Sequence, residues 1–336
     1  MSYIPVSDPI DTEIETILTS FDTAYAWNYG DLKSGLRDLY EKAKRDQWNA
    51  SERLDWTTDV DPESEIIPAH FSLLAGLPAF AKLDARERAR CNHAQLSLTL
   101  SNFLHGEQGA MIVASQLVGA APWIDAKYYA STQTMDEARH VEVFDRYVRT
   151  KLEWEWPVNA DLKELLDATI QDSRWDFKYI GMQIVIEGLA MAAFGSMYQI
   201  CQEPLLKEML LNVMRDESRH VAFGVHSLKG YYDDMPAVEL RDREDFLIYA
   251  CELSRNRMIP LEMAEVMGWK REEMADAMLN SPASRLVRQA LFMRVVPNLK
   301  RLGLLTPRVR EAFDRLGILQ FENADPEFQE KLLGLA

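Results

Sequence analysis

Cysteine is scarce in this 336-residue chain, and its placement excludes two kinds of architecture. The three cysteines are Cys91, Cys201 and Cys251, and no two of them form a Cys-x-x-Cys pair. An odd number of widely spaced cysteines indicates neither a disulfide framework nor a thiolate zinc site. No flavin-binding or iron–sulfur motif is present either, so a redox reaction here would draw its electrons from another protein.

Basic residues are also scarce relative to acidic ones. The chain has 37 lysines and arginines against 53 aspartates and glutamates, a net charge of -16. Nucleic acids and anionic membranes favour clustered basic residues, so neither is an expected partner. Residues 1–11 lack the basic, apolar and small-residue order of a signal peptide, and no uncharged apolar run is long enough to span a bilayer. We therefore expect a cytoplasmic protein.

Alternating β-branched residues and Gly/Ser linkers are also rare. Apolar residues instead recur at spacings of three and four, which is typical of amphipathic helices. The pattern predicts helices over 11–27, 31–48, 84–118, 126–154, 174–201 and 205–231, with shorter ones to the C-terminus. We expect one all-α domain over 1–336, made of a four-helix core at 84–231 and helical extensions at 1–83 and 232–336.

The four long helices form two predicted hairpins. The helix 84–118 pairs with 126–154, and 174–201 pairs with 205–231, because a short turn forces antiparallel neighbours. The stretch Lys151–Ser173 between the hairpins is long enough to cross along the bundle. The expected core is therefore a four-helix bundle with one crossover.

One five-residue pattern occurs twice on these helices, as Asp-Glu-Ala-Arg-His at 136–140 and Asp-Glu-Ser-Arg-His at 216–220. Glu137 and His140 are three apart, as are Glu217 and His220, so each pair shares one helix face and can reach one metal ion. A single Glu-x-x-His is common by chance. The repeat in a chain with only six histidines favours a metal site.

Two further glutamates complete the pattern. Glu107 lies thirty residues before Glu137, and Glu187 lies thirty before Glu217, both with glycine and apolar residues close by. The midpoints of these intervals fall at or near the predicted hairpin turns. Each glutamate is therefore expected at the same level along the bundle axis as its Glu-x-x-His partner. Packing the hairpins together brings four carboxylates and two imidazoles to one place.

Four buried carboxylates without cations would be very costly, and two divalent metals remove that cost. Carboxylates with one imidazole per metal suit iron or manganese. The adjacent Asp136 and Asp216 are placed to accept a hydrogen bond from the opposite hairpin's histidine, and Arg139 and Arg219 to neutralise those aspartates. The alternative for these four residues is surface ion pairing.

The double Asp-Glu-x-Arg-His with two lone glutamates resembles the ferritin-like diiron-carboxylate oxidases and oxygenases. The likeness is greatest to the hydroxylase components of bacterial multicomponent monooxygenases and to acyl carrier protein desaturases. Gln47-Trp48-Asn49 loosely resembles a segment near the start of those hydroxylases. The resemblance implies two irons, with Mn/Fe as the alternative. It makes Glu107, Glu137 and His140 ligands of one metal, makes Glu187, Glu217 and His220 ligands of the other, and has Glu137 and Glu217 bridging.

At three positions this chain differs from a known subfamily of these enzymes, and each difference bears on the reaction to be expected. Ribonucleotide reductase small subunits have a radical tyrosine where this chain has Phe144, which disfavours a tyrosyl-radical role. Arylamine N-oxygenases add a third histidine where this chain has Val213. Multicomponent hydroxylases have a threonine where this chain has Met191. The resemblance therefore implies a divergent oxygenase and leaves its reaction open.

Residues one turn from the predicted ligands are candidates for a substrate pocket, with ordinary core packing as the alternative. They are Phe103, Met111, Gln133, Phe144, Gln183, Met191, Val213 and Gly224. His105 and His226 point to other faces and are interpreted as histidines that bind no metal. A mainly apolar pocket with two amides suits an aliphatic or aromatic substrate with one polar group.

The leading hypothesis is an O₂-activating diiron monooxygenase that acts on an apolar or aromatic small molecule. Its electrons would come from a separate reductase or ferredoxin, and a homodimer is a further expectation. Desaturation or N-oxygenation on the same site is the first alternative. A ferritin-like iron-binding protein without catalytic activity is the second.

Overall fold

The computed structural model describes residues 14–31, 33–61, 63–152, 154–328, 331 and 334. Every regular element in this part of the chain is helical, and the all-α prediction is confirmed. The α-helices are α1 (Ser34–Arg45), α2 (Ala50–Arg53), α3 (Pro78–Ala81), α4 (Ala85–Ala120), α5 (Ile124–Tyr147), α6 (Ala160–Gln171), α7 (Trp175–Tyr179), α8 (Glu187–Ile200), α9 (Pro204–Leu228), α10 (Ala237–Asn256), α11 (Glu262–Met267), α12 (Arg271–Asn280), α13 (Pro282–Ala290), α14 (Val295–Arg301) and α15 (Pro307–Leu316).

The core is a bundle of α4, α5, α8 and α9, with local sequence signals at the helix starts. Asp84 and Glu87 form a reciprocal capping box at the start of α4. Pro204 occupies the first turn of α9, and the Glu203 carboxylate before it accepts two backbone N–H bonds. α4 packs along α5 and α8 along α9, while α6 lies within the crossover. These contacts are the two predicted hairpins, and α1 packs across α5 and α9.

The predicted helix 174–201 is interrupted by a π-helical turn. α7 runs into a π-helix at Ile180–Ile186, which joins α8 at Glu187. A second π-helix, Val148–Leu152, extends α5. A π-turn inserts a residue and rotates everything after it around the helix axis, and such turns are frequent at functional sites. The one at Ile180–Ile186 sets the direction in which Glu187 points.

The helix predicted at 11–27 is wrong over the described residues. Residues 14–29 have no regular structure, while 11–13 lie outside the described residues. Several of its apolar residues remain exposed, with Ile14 82%, Leu18 88% and Trp27 76% accessible. A short amphipathic helix is stabilised mainly by packing its apolar face, and this face is packed only in part, through residues such as Ile17 and Phe21.

One segment of the described chain, Trp175–Ile200, is long and apolar enough to cross a membrane by length and composition alone. In the structure 78% of its apolar window is buried inside the bundle. Core packing therefore accounts for its hydrophobicity.

Candidate metal centre

Six buried side chains from the four core helices meet at the centre of the bundle. α4 contributes one of them, α5 two, the start of α8 one and α9 two. None is more than 6% exposed. They are the six that the sequence predicts as metal ligands: Glu107, Glu137, His140, Glu187, Glu217 and His220.

The side chains form two overlapping groups, each with ligand atoms within 4.8 Å of one another. Glu107 and His140 belong to one group and Glu187 and His220 to the other, while Glu137 and Glu217 belong to both. The two imidazole rings are 5.8 Å apart between centroids. The arrangement has room for two metal ions side by side.

The two shared glutamates each offer one oxygen to each half of the site. Glu137 Oε2 lies 3.3 Å from His140 Nδ1, and Glu137 Oε1 lies 3.1 Å from His220 Nδ1. Glu217 Oε1 and Oε2 lie 3.0 Å and 3.3 Å from the same two nitrogens. Carboxylates that bridge two metals would be placed in this way.

Both histidines turn the same nitrogen toward the carboxylates. His140 Nδ1 also lies 3.2 Å from Glu107 Oε2, whereas its Nε2 donates to Asp216 Oδ2 at 3.2 Å. His220 Nε2 contacts Asp136 Oδ2 at 3.4 Å. Each aspartate therefore lies on the hairpin opposite its histidine and favours the tautomer with the hydrogen on Nε2. That tautomer leaves the Nδ1 lone pair for a metal.

The residues fit a pair of cations because several of their buried polar atoms make no hydrogen bond of good geometry, although imidazole nitrogens and carboxylate oxygens lie close together. These atoms are Glu137 Oε2, Glu187 Oε2, both Glu217 oxygens and His220 Nδ1. A buried unpaired polar atom costs about 1–3 kcal/mol, and more when it is charged. Divalent cations would satisfy all of them, since carboxylate oxygen and imidazole nitrogen are ligands of iron and manganese.

The pKa shifts of the clustered side chains in the metal-free protein also favour binding of two cations. Burial and the nearby Glu217 carboxylate raise the pKa of Glu107 and of Glu187 well above the ordinary glutamate value. Burial works against charge on His140 and His220, but the surrounding carboxylates outweigh it and raise the pKa of both imidazoles. Without metal, protons carry the positive charge that two cations would supply.

Two arginines and the two aspartates form a buried frame behind the histidines. Arg139 donates to Asp136 at 2.5 Å and to Asp216 at 2.8 Å. Arg219 donates to Asp216 and, at 3.4 Å, to Asp136. All four are buried, so they are not a surface ion-pair network. The frame joins α5 to α9 and orients both imidazoles.

Two residues that follow α1 attach to this frame. Gln47 Nε2 donates to Asp136 Oδ1 at 2.8 Å, and Trp48 Nε1 donates to Asp216 Oδ2 at 2.8 Å. The sequence contained only one signal for them, the loose resemblance at Gln47-Trp48-Asn49. Neither was predicted as a site residue, because they lie about ninety residues from the nearest repeated motif.

The two glutamines predicted as pocket residues hydrogen-bond within the ligand cluster. Gln133 Nε2 donates to Glu137 Oε1 at 3.0 Å and to Glu187 Oε1 at 2.7 Å. Gln183 Nε2, from the π-helix, donates to Gln133 Oε1 at 3.3 Å. These amides therefore orient carboxylates across the two hairpins.

A cavity of about 170 Å³ opens onto the cluster from the side of α4 and α8. Glu107, Glu187 and Glu217 line it, together with Phe103 and other apolar side chains. An engineered apolar cavity of about 150 Å³ binds benzene, so this one has the size for a single aromatic ring.

Phe103 is the one predicted pocket residue that lines this cavity, and the other seven lie elsewhere. Phe144, Met191 and Val213 pack in a buried apolar cluster. Gly224 lies against Gln183, where a Cβ would be 2.6 Å from the Gln183 Cβ, and Met111 is half-buried on α4. Distance along the helix placed these residues near the ligands but could not determine which side of the cluster was open.

Polar groups from the C-terminal helices also line the cavity, and sequence reasoning missed them. They include Arg257 at the end of α10, Arg288 on α13 and Glu262 on α11. Burial lowers the pKa of Arg257 to about 10, and its Nε has no hydrogen-bond partner. Arg288 donates to the Ser284 carbonyl at 3.3 Å. The mostly apolar cavity is therefore also lined by a half-buried guanidinium group.

The two histidines interpreted as binding no metal lie outside the cluster. His105 Nε2 is 2.8 Å from the Trp156 carbonyl oxygen. His226 is an exposed residue, and partial desolvation of its ring lowers its pKa. Neither belongs to a group of ligating side chains in the described part of the chain.

Comparison with known proteins gives one family match. A family model described as P-aminobenzoate N-oxygenase AurF matches residues 31–303. No curated protein sequence matches the chain.

Similar folds occur among solved structures. Two of them are variants of an R2-like ligand-binding oxidase, each with an anaerobically reconstituted Mn/Fe cofactor. They are 19% and 20% identical to this chain, each alignment covers 82% of it and 95% of the other chain, and each has a TM-score of 0.50. At this identity the likeness shows a shared helical-bundle fold.

Proposed function

This chain belongs to the P-aminobenzoate N-oxygenase AurF family and is a non-haem diiron oxidoreductase, and we propose that it transfers oxygen from O₂ to the nitrogen of a small aromatic amine. The observation that carries this proposal is the shared cavity, in which the carboxylate cluster, apolar walls and the half-buried Arg257 meet. Carbon hydroxylation, which the sequence favoured first, uses the same kind of site. Family membership favours nitrogen as the acceptor.

We propose that the six clustered glutamates and histidines would hold the two metals, with Glu137 and Glu217 belonging to both groups of ligands. When bound, a reduced diiron pair supplies the electrons that activate O₂. Asp136 and Asp216 keep the proton on Nε2 of each imidazole, so that Nδ1 remains available to the metal. Val213 stands where arylamine N-oxygenases carry a further histidine, so the proposed set has one histidine per metal.

The cavity indicates the class of substrate. Its walls exclude water around an apolar ring, and Phe103 and Leu189 contribute to them. Arg257 is half-buried and its Nε has no hydrogen-bond partner, so a carboxylate on the substrate would pair with it. The proposed substrate is therefore an aminobenzoate-like molecule with an anionic group. An external reductase or ferredoxin, a cytoplasmic location and a homodimer stay predictions.

Metal loading is the first test. Purified protein is loaded anaerobically with Fe(II), or with Fe(II) and Mn(II), and its metal content is measured by elemental analysis. About two ions per chain are expected, and fewer than about one would refute the dimetal site. Glu217→Ala removes the carboxylate shared by both halves and is expected to lose both ions. An unchanged metal content in that variant would contradict the ligand assignment.

Oxygen consumption then identifies the reaction. The loaded, chemically reduced protein is mixed with O₂ and one of three probes: 4-aminobenzoate, benzoate or aniline. Faster O₂ uptake with 4-aminobenzoate, together with hydroxylamino or nitro products by mass spectrometry, supports N-oxygenation of an anionic arylamine. Ring-hydroxylated products would overturn N-oxygenation in favour of a hydroxylase. Oxygen uptake that no probe accelerates would contradict the oxygenase proposal and favour iron storage.

A further inference from the structure

The cavity at the carboxylate cluster is lined by a second arginine, Arg288 on α13, in addition to Arg257. We propose that Arg288 binds a second anionic group of the substrate, so that the cavity takes an arylamine with two anionic groups. This inference rests on the proposed function, because it narrows the substrate class of the same site.

The guanidinium group of Arg288 is buried and has no carboxylate partner among the described residues. Arg288 is 7% exposed, and it donates to the backbone carbonyls of Ser284 at 3.3 Å and Met278 at 3.5 Å. Three other buried arginines each pair with an aspartate, namely Arg139, Arg219 and Arg243. A guanidinium has five N–H donors and stays charged, so Arg288 has donors left for an anion.

The charged groups nearest to Arg288 are themselves cations. Burial, together with the nearby Arg255 and Arg285, lowers the pKa of Arg288. A buried positive charge that faces two further positive charges is costly, and a bound anion would reduce that cost. The surroundings of Arg288 therefore favour an anionic ligand.

The acidic residues near the cavity lie on the side of Arg257. Among the described residues that line the cavity, Glu262 is the only acidic one outside the metal cluster, and its Oε1 accepts from Asn159 Nδ2 at 2.6 Å. The Asp161 carboxylate interacts with the charge of Arg257 and is itself close to Glu262. These carboxylates partly offset the charge of Arg257, whereas the charge of Arg288 is not offset.

The cavity is long enough to hold two anionic groups at different distances from the metal cluster. One face of α4 lines it from Gln95 to Glu107, and these residues are twelve apart, which is about 18 Å of helix. On α8 the lining extends from Glu187 to Ala193, which is about 9 Å. A single ring with one carboxylate would occupy only the part next to the cluster.

Arg257 is near the middle of this length. Asn102, five residues before Glu107, accepts a hydrogen bond from the Asn159 backbone at 3.0 Å. Asp161, which interacts with Arg257, follows Asn159 by two residues. An anionic group close to the ring of a bound arylamine would therefore be at the level of Arg257.

Arg288 is at the outer end of the cavity. Its helix α13 packs against a 3-10 turn at Leu73–Gly76, and Ser72 before that turn donates to the Gln95 side chain at 3.2 Å. The adjacent Val287 lines the cavity and is exposed, so this end opens to solvent. A second anionic group, farther from the ring, would reach Arg288 here.

Two probes of equal length test this arrangement. 4-Aminobenzoyl-glutamate has an aromatic amine, a carboxylate near the ring and a second carboxylate at the end of its side chain. 4-Aminobenzoyl-glutamine differs only by an uncharged amide in place of the outer carboxylate. A guanidinium group prefers the carboxylate because both hydrogen bonds are then charge-assisted.

Binding of both probes and of 4-aminobenzoate is measured by isothermal titration calorimetry on anaerobic, Fe(II)-loaded protein, so no turnover is needed. The variant is Arg288→Gln, and the matched control is Arg285→Gln. Arg285 is on the same helix but is exposed and outside the cavity lining. Thermal unfolding checks that both variants are folded, and the comparison of the two probes on the wild type requires no variant.

We expect the wild type to bind 4-aminobenzoyl-glutamate about tenfold or more tightly than 4-aminobenzoyl-glutamine. Arg288→Gln should lose this preference, and Arg285→Gln should keep it within about twofold. Equal affinities of the wild type for the two probes would refute the second anion site. An unchanged preference in Arg288→Gln, or an equal loss in Arg285→Gln, would refute the role of Arg288. If only 4-aminobenzoate binds, this inference fails and the proposed function stands; if none of the three binds, the proposed function fails first.

Discussion

Asp216→Asn tests how the metal centre is supported, since the change keeps the shape of the side chain and removes its charge. Asp216 Oδ2 accepts hydrogen bonds from His140, Trp48 and Arg139, and Oδ1 accepts from Arg219. All of these partners are donors. An asparagine must turn its NH₂ group toward at least one of them, so donor would face donor.

The expected effect is local to the His140 half of the site. Loss of one charge-assisted hydrogen bond costs about 1.5–3 kcal/mol, which is roughly a ten- to hundredfold loss in metal affinity. The His220 half is held by Asp136 and should stay near wild type. Asp216→Asn is therefore expected to bind one ion tightly and one weakly.

Competition titration with Mn(II) and a chelator, with bound metal counted by elemental analysis, measures both affinities. Asp136→Asn is the mirror control, because it should weaken the other ion by a similar factor. Thermal unfolding of the metal-free variants checks that each remains folded. Two wild-type affinities in Asp216→Asn, or equal weakening of both ions, would refute the assignment of one aspartate to each metal.

Three further predictions follow from the same structure. Glu107, Glu187 and both histidines have raised pKa values without metal, so metal loading must release protons. The affinity for Mn(II) should therefore fall by about tenfold per released proton when the pH is lowered by one unit. An affinity that is independent of pH between 6.5 and 7.5 would contradict this. Gly224→Ala should lower the free energy of unfolding, measured by urea denaturation, by about 1–3 kcal/mol, because the added Cβ would lie 2.6 Å from Gln183 Cβ. Gly106→Ala is the control: there is open space at that position, so this change should not destabilise the protein. Arg257→Gln should raise KM for 4-aminobenzoate by about ten- to hundredfold and leave KM for aniline unchanged. Arg255→Gln is a control outside the cavity. Equal KM changes for both probes would argue against binding of the substrate's anionic group by Arg257.

The prediction of the fold succeeded where the pattern was long and periodic. Two core helices, α4 and α9, lie within a few residues of their predicted bounds, and the other two predicted helices do so when their π-helical segments are included, since each one buries apolar residues along most of its length. The helix at 11–27 failed over its described part for the converse reason. Ile14, Leu18 and Trp27 have apolar side chains, but these side chains remain largely exposed.

The extent of the candidate site was only partly predictable. The spacing of thirty residues between Glu107 and Glu137, and again between Glu187 and Glu217, brings the ligands to one level through helix rise alone. The pocket depended on which side of the cluster was open. Phe144 and Val213 lie one turn from ligands, yet they pack away from the cavity that Arg257 lines.

The sequence by itself determined the bundle and the set of six clustered side chains, because helical period and hairpin symmetry are local properties of the chain. The tertiary structure alone decided the π-turn before Glu187, the cavity with its arginine, and the contact of Trp48 with Asp216. The cavity and the Trp48 contact join residues that are far apart in sequence. Their relative placement depends on the packing of the whole core, and it cannot be predicted from residue spacing along one helix.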